Sequence, residues 1–323
     1  MDAGPPDGSK VERCYRARGK QLSTGGDGVS WAGFYWAEGV EDCFAARWVR
    51  RRMPLMIREL IDALRTRCAP GARSLGLAYE AAAIAARYRR VGASWASHLA
   101  ASREVILWGA ERCRKRERVL VIGAGACLDV PVAELAERFS EVILADVAVS
   151  PVARGWQRRL PGRVRAIGWD ATGALAVLAA QRGLATAAEI ERLLAESDPA
   201  EPLGGETDLV VSANCLSQLG LIPADRLAAA DSDEELPVRC AHAAARRHLA
   251  WLASRRGVRV LLSDVARLDV AADGRELARR TIFKNLALRA PDKMWRWDLA
   301  PIPEWSREWN RVHEVGAWID GPV

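Results

Sequence analysis

Arg118-Val-Leu-Val-Ile-Gly-Ala-Gly-Ala-Cys-Leu-Asp-Val-Pro131, followed one short helix later by Glu141-Val-Ile-Leu-Ala-Asp146, decides the fold. The apolar run Val119 to Ile122 ends in the tight turn Gly123-Ala124-Gly125. Glycine carries no Cβ, so the backbone there can come close to a ligand. The next segment places Val132, Leu135, Ala136 and Phe139 on one helical face, and a helix N-terminus offers free N–H groups. A second apolar run then closes on Asp146. It lies about twenty residues past the glycines, the spacing at which a carboxylate meets ribose hydroxyls. Together these features are the front end of a nucleotide-binding βαβ unit.

Outward from this unit the alternation continues. Val164 to Asp170 reads as a third strand, 173–195 as helical, Asp208 to Asn214 as a buried strand, 237–255 as a long helix, and Val258 to Asp264 as the next strand. Alternating strands and helices build a parallel sheet covered on both faces. Residues 281–289 and 310–319 have strand-like content, with Trp295, Trp297, Trp305, Trp309 and Trp318 crowding between and around them. Two late strands would add an antiparallel edge. The expected fold is therefore α/β: an open, doubly wound, mostly parallel Rossmann-like sheet with an antiparallel C-terminal edge and an N-terminal helical extension. Its expected parts are a disordered leader (1–45), the helical extension (46–117) and the sheet domain (118–320). Met53 opens the first patterned segment and reads as an alternative start; Leu55, Ile57, Leu60, Ile61 and Leu64 mostly follow helical spacing. The extension can cover the sheet, form a lid or make a homodimer surface. Sheet cover is the plainest of the three.

Half of the 323 residues are hydrophobic and 27% are charged, a globular composition. No apolar run reaches the roughly 18 residues that span a bilayer, and Met1 to Lys20 lacks the apolar core of a secretory signal. Cytoplasm is the default, with no membrane partner. The seven cysteines include no Cys-x-x-Cys pair, so no metal site is expected. Cys127 and Cys215 fall in candidate ligand loops and read as small apolar filler. The net charge of +6 invites a nucleic-acid reading. However, the arginines come in small groups at the ends and polar faces of helical segments.

Four features fall in register at successive strands: Gly123-Ala124-Gly125, Asp146, Asp170-Ala171, and Asp208 through Asn214. Together they resemble the class I S-adenosylmethionine-dependent methyltransferases over about residues 118–320. The resemblance implies S-adenosyl-L-methionine as cofactor. It implies that Gly123, Ala124 and Gly125 pass its methionine and ribose, and that Asp146, with Val147 beside it, binds the ribose hydroxyls. Asp170-Ala171 would reach the adenine amino group, and Ser212 to Leu216, Asn214 included, would face the transferred methyl. Two positions depart from the pattern. Val121 stands where the family often has an acid, and Cys127 where a third glycine is common. Cys127 is expected to narrow the turn. A pocket reshaped there underlies one alternative, a non-catalytic binding or scaffold protein.

Methyl transfer is an in-line displacement that needs alignment and sometimes a base. Asn214, Asp264 and His313 are the candidate catalytic residues, with Asp298 a further candidate base. Asp129 and Pro131 read as the cap and first turn of the following helix, and cofactor contact is the alternative for Asp129. His242 and His248 share a helix with Arg246 and Arg247 and read as a solvated face. The expected substrate is a small-molecule acceptor, and the tryptophans offer it an aromatic wall. An NAD(P)-dependent oxidoreductase would want glycine or alanine at Leu128. RNA or protein methylation has only the basic charge behind it. No phosphate-loop motif, Gly-x-Ser-x-Gly elbow or His-Glu-x-x-His occurs.

Overall fold

Apolar runs without polar alternation fit strands covered on both faces. The computed structural model, which describes residues 57–181, 186–202, 206–220, 235–284, 286 and 288–322, places such runs at the centre of its sheet. The leader 1–45 and Met53 lie outside the described residues. In chain order the elements are helix α1 (57–65), strand β1 (Arg67–Cys68), α2 (Leu77–Val91), and a 3-10 turn (Gly92–Trp95) running into α3 (Ala96–Glu111). Then come β2 (Arg118–Ile122), α4 (Val132–Arg138), β3 (Glu141–Asp146), β4 (Ala148–Val149), α5 (Pro151–Arg159), β5 (Val164–Gly168), α6 (Leu175–Ala180) and α7 (Ala187–Glu196). The chain continues through β6 (Leu209–Ala213), α8 (Leu236–Ala253), β7 (Val258–Ala271), β8 (Glu276–Thr281), β9 (Lys293–Ala300) and β10 (Trp309–Asp320).

The main sheet runs β5-β3-β2-β6-β7-β10-β9, with β8 paired to β7. Pairings from β5 to β7 are parallel. β10 is antiparallel to both β7 and β9, and β8 is antiparallel to β7. This is the open, mostly parallel sheet with an antiparallel edge that the resemblance implies. Chain direction across the sheet reverses between β2 and β6. Ligands of such sheets bind outside the carboxyl ends of the strands at that switch point.

Side chains alternate across β2. Val119 and Val121 join one core layer with Leu135, Phe139 and Ile106 of α3, whereas Leu120 and Ile122 join the other with Trp251 and Leu252 of α8. Each fully buried aliphatic side chain contributes about 1.5–3 kcal/mol. The N-terminal extension therefore covers the sheet through α3. There Gly109 sits where any Cβ would run into the Val260 side chain. No helix among the described residues is long and apolar enough to cross a membrane.

Three expectations change. The described residues of 282–289 form no strand: β8 ends at Thr281, and the next strand among the described residues is β9, which carries Trp295 and Trp297. Ile282, Phe283, Leu286 and Leu288 pack on the core as irregular cover, which gives strand-like composition without a ladder. In β9 the half-buried Trp295 and Trp297 alternate with exposed Met294, Arg296 and Asp298, a period of two hidden by the density of tryptophan. His248 is not on a solvated face but is 1% exposed, with Nε2 2.9 Å from Ser212 Oγ. Ala241, Ala244, His248 and Leu252 form one helical stripe, and that stripe faces the sheet. Finally, α1 forms as its spacing requires, yet Ile57, Leu60, Ile61 and Leu64 are exposed.

Candidate active site cleft

A cleft of about 400 Å3 opens at the carboxyl ends of β2, β3 and β6 and beyond the end of β5. Gly123, Ala124, Gly125, Asp146, Val147, Asp170, Ala171 and Asn214 all line it. Its opposite wall comes from the N-terminal extension and β9, with Trp95, His98, Leu99 and Trp297.

The Gly turn is held by the segment after β3. Gly125 N donates to Asp146 Oδ2 at 2.8 Å, and Gly125 O accepts from Ser150 Oγ at 2.7 Å. Ser150 also caps α5, accepting from Ala153 N, with Pro151 in the first turn. One local sequence signal, Ser-Pro before a helix, thus anchors the turn. Gly123 (φ +74) needs its freedom because a Cβ there would lie 2.7 Å from the Ala213 carbonyl oxygen. Gly125 (φ +47) is different: its nearest neighbour would be 3.9 Å away, so the missing side chain leaves open space. Helix α4 starts only at Val132 and is seven residues long. The turn therefore presents loop backbone to the cleft and not the helix N-terminus expected from the sequence.

Asp146 Oδ1 accepts from Ala148 N at 2.8 Å. Burial pushes its carboxyl pKa up, opposed by the N–H groups of Ala148 and Gly125. The loop after Asp146 is tied to the extension by the two-residue ladder β1–β4 and by Ala69 N to Val147 O at 2.9 Å. Asp170 accepts from Thr172 N and Thr172 Oγ1 on one oxygen and from Leu175 N on the other. It organises the turn into α6 while lining the cleft.

Asp129 does not cap α4. The residue preceding α4 is Pro131, without a side-chain cap, and Asp129 Oδ2 accepts from Asn214 Nδ2 at 2.7 Å. This bond joins the β2 and β6 loops, with Asn214 in the left-handed region (φ +51). Burial raises the Asp129 pKa, and the Asn214 bond opposes it. Asn214 Oδ1 is buried with no hydrogen-bond partner among the described residues.

The two departures from the family pattern do not touch the cleft. Val121 and Cys127 are both in the core, and neither lines the cavity. Cys127 takes the left-handed conformation (φ +55) that glycine would take, but its thiol packs inward. It does not narrow the turn as expected. Cys215 does line the cleft, and burial pushes its thiol up to about 12.

Asp264 and His313 come together, Oδ2 to Nδ1 at 3.2 Å, and Ser217 Oγ donates to Asp264 Oδ1 at 2.5 Å. Burial alone would raise the Asp264 carboxyl, but His313 and Ser217 hold it below its ordinary value. Neither residue lines the cleft. His313 meets Trp297 edge-on, with ring centroids 5.9 Å apart. Asp298 is exposed and also lies outside the lining. The tryptophans divide: Trp297 lines the cleft, Trp318 is core, and Trp305 and Trp309 hold the Arg311 guanidinium. No local signal marks Trp95 and His98 as cleft residues, since both sit in an ordinary helical pattern.

No protein-family model matches the chain, and no curated protein sequence matches it. Similar solved structures include the YcgJ protein from Bacillus subtilis, 16% identical, covering 50% of this chain and 50% of that one, with a TM-score of 0.25. The chain thus spans half the length of that protein. The 1,6-didemethyltoxoflavin-N1-methyltransferase of Burkholderia thailandensis is 16% identical, covering 75% of this chain and 90% of that one, with a TM-score of 0.28. A putative type II methyltransferase from Anaeromyxobacter dehalogenans is 15% identical, covering 68% and 95%, with a TM-score of 0.27. At such values the class of the fold rests on the strand order of the chain itself, a doubly wound Rossmann-like sheet of methyltransferase type.

Proposed function

We propose that the chain is an S-adenosylmethionine-dependent methyltransferase acting on a small-molecule acceptor. The observation that carries this reading is the charge of the cleft floor. Asp129, Asp146 and Asp170 line it together with Asn214, whereas the lining arginines, Arg58 and Arg89, belong to α1 and α2. Arg89 is moreover paired with Asp62 at 2.9 Å. A floor of acceptors suits a ligand that offers hydroxyl, amino and ammonium donors. It repels the diphosphate of a nicotinamide dinucleotide, which wants N–H groups or cations.

Gly123, Ala124 and Gly125 would let the backbone pass close to the methionine and ribose, over the open space at Gly125. Asp146 would accept from the ribose hydroxyls, using lone pairs beyond those held by Gly125 and Ala148. Asp170 and Ala171 would meet the adenine edge. Asp129, held in place by the Asn214 side chain, would accept from the ammonium group. The cofactor supplies a methyl group activated on a sulfonium, and the chain supplies alignment.

Calorimetric titration with S-adenosylhomocysteine, with NADH as control, tests this. Saturable binding of the former alone is expected, weakened about tenfold or more in Asp146→Ala because a buried acceptor is removed. Binding of NADH alone, or unchanged affinity in the variant, would sink the reading.

A further inference from the structure

The wall opposite the floor is aromatic and includes a histidine of defined tautomer. His98 is 1% exposed and lines the cleft. Its Nδ1 accepts from Trp295 Nε1 at 3.0 Å. A ring nitrogen that accepts cannot carry the proton, so the neutral ring bears it on Nε2. The ring lies flat on Trp297, centroids 4.1 Å apart and planes 6° from parallel. Trp95 meets Trp297 edge to face at 5.0 Å, and its own Nε1 is spent on Leu299 O at 3.0 Å. With one nitrogen held by Trp295 and one face held by Trp297, Nε2–H is the unspent polar group of a side chain that lines the cleft. It has no partner among the described residues. Desolvation keeps the ring neutral, with a pKa lowered to about 3. His98 is therefore a donor across the working pH range and has no free lone pair with which to act as a base.

We propose that His98 is the fixed hydrogen-bond donor of the acceptor half of the cleft, and that the methyl acceptor is a flat, uncharged ring system carrying a carbonyl oxygen or ring nitrogen to meet it. The assignment of this half to the acceptor rests on the reading that the floor holds the cofactor. Trp95, Leu99 and Trp297 supply flat apolar surface to such a ring. An organic cation would gain from the indole faces but would meet only the donor end of His98. It would also share the cleft with the positive sulfonium.

The test uses two probes of the same shape, 4-quinolone and N-methylquinolinium, titrated by ligand-observed NMR into the full chain with and without S-adenosylhomocysteine. Asparagine places an oxygen near the position of Nδ1 and has nothing at Nε2, whereas glutamine places an amide N–H near Nε2. The expected result is that 4-quinolone binds more tightly than the cation, loses about tenfold in His98→Asn, and stays within about threefold of the original chain in His98→Gln. S-adenosylhomocysteine affinity should stay within about twofold in both variants, which also reports that they are folded. Trp295→Phe frees Nδ1 and is expected to weaken 4-quinolone without changing the His98 side chain itself. The proposal is overturned if 4-quinolone fails to bind at millimolar concentration, if His98→Asn and Trp295→Phe leave its affinity unchanged, or if N-methylquinolinium binds more tightly. Binding of 4-quinolone that depends on His98, in a chain that does not bind S-adenosylhomocysteine, would instead overturn the cofactor reading and leave the donor in place.

Discussion

Gly123 and Cys127 both take left-handed backbone conformations, yet a side chain meets different surroundings at each. At Gly123 a Cβ would press on the Ala213 carbonyl oxygen and on Cys215 Cβ at 2.9 Å, so both backbone and packing resist it. Gly123→Ala is expected to cost about 3 kcal/mol in urea unfolding, combining left-handed strain with a clash; a loss below about 1 kcal/mol would mean that the turn simply shifts aside. At Cys127 the thiol already fills core, so Cys127→Gly trades about 1 kcal/mol of backbone strain for a similar loss of burial and should be nearly neutral. These two positions also mark how far the sequence could be read. Gly-x-Gly after an apolar run located the turn, because glycine and strand periodicity are local signals. The direction in which Cys127 points, the bond from Asp129 to Asn214, and the tautomer of His98 each depend on residues distant in the chain, and no local pattern encodes them.

At the scale of elements, the legible parts were those with a strong period: β2, β3 and β6 as continuous apolar runs, and α4 with its three core positions, Val132, Leu135 and Ala136. β1 and β4 were illegible because two residues carry no period, although they tie the extension to the loop beside Asp146. The wall helix α2 is likewise fixed by a distant contact. Glu304 follows β9 and accepts from Arg90 Nε at 3.0 Å and from Arg90 Nη2 at 2.6 Å, with Arg87 Nε 3.6 Å away. Its side chain is 7% exposed. Glu304→Ala leaves two largely buried guanidinium groups without this carboxylate, so a loss of about 2–4 kcal/mol is expected in denaturant unfolding. A change under about 0.5 kcal/mol would show the clamp to be no more than a surface pair.

For the whole molecule, two buried imidazoles each weaken the fold in acid. Burial holds His98 at about 3 and His248 at about 4, both below the ordinary 6.5. The unfolded chain takes up these protons as pH falls below 6.5, whereas the folded chain does not until far lower. Their contribution is therefore fully present above pH 6.5 and is lost as pH falls toward 4. At pH 5 each costs about 2 kcal/mol. Urea unfolding at pH 7 and pH 5 checks this: the original chain should lose more stability between the two than His248→Gln does, by about 2 kcal/mol, and equal losses would refute it. The placement of the two walls also has a consequence in time. Floor loops run from Gly123 to Cys215, but Trp95 waits for Leu299, 204 positions later, and Arg90 for Glu304, 214 positions later. On a ribosome the floor strands emerge while Arg90 of α2 and Trp95 before α3 still lack these late partners, and loops of that length close late. A nascent chain thus completes its floor before its wall, and each newly made molecule passes through a stage with half a cleft.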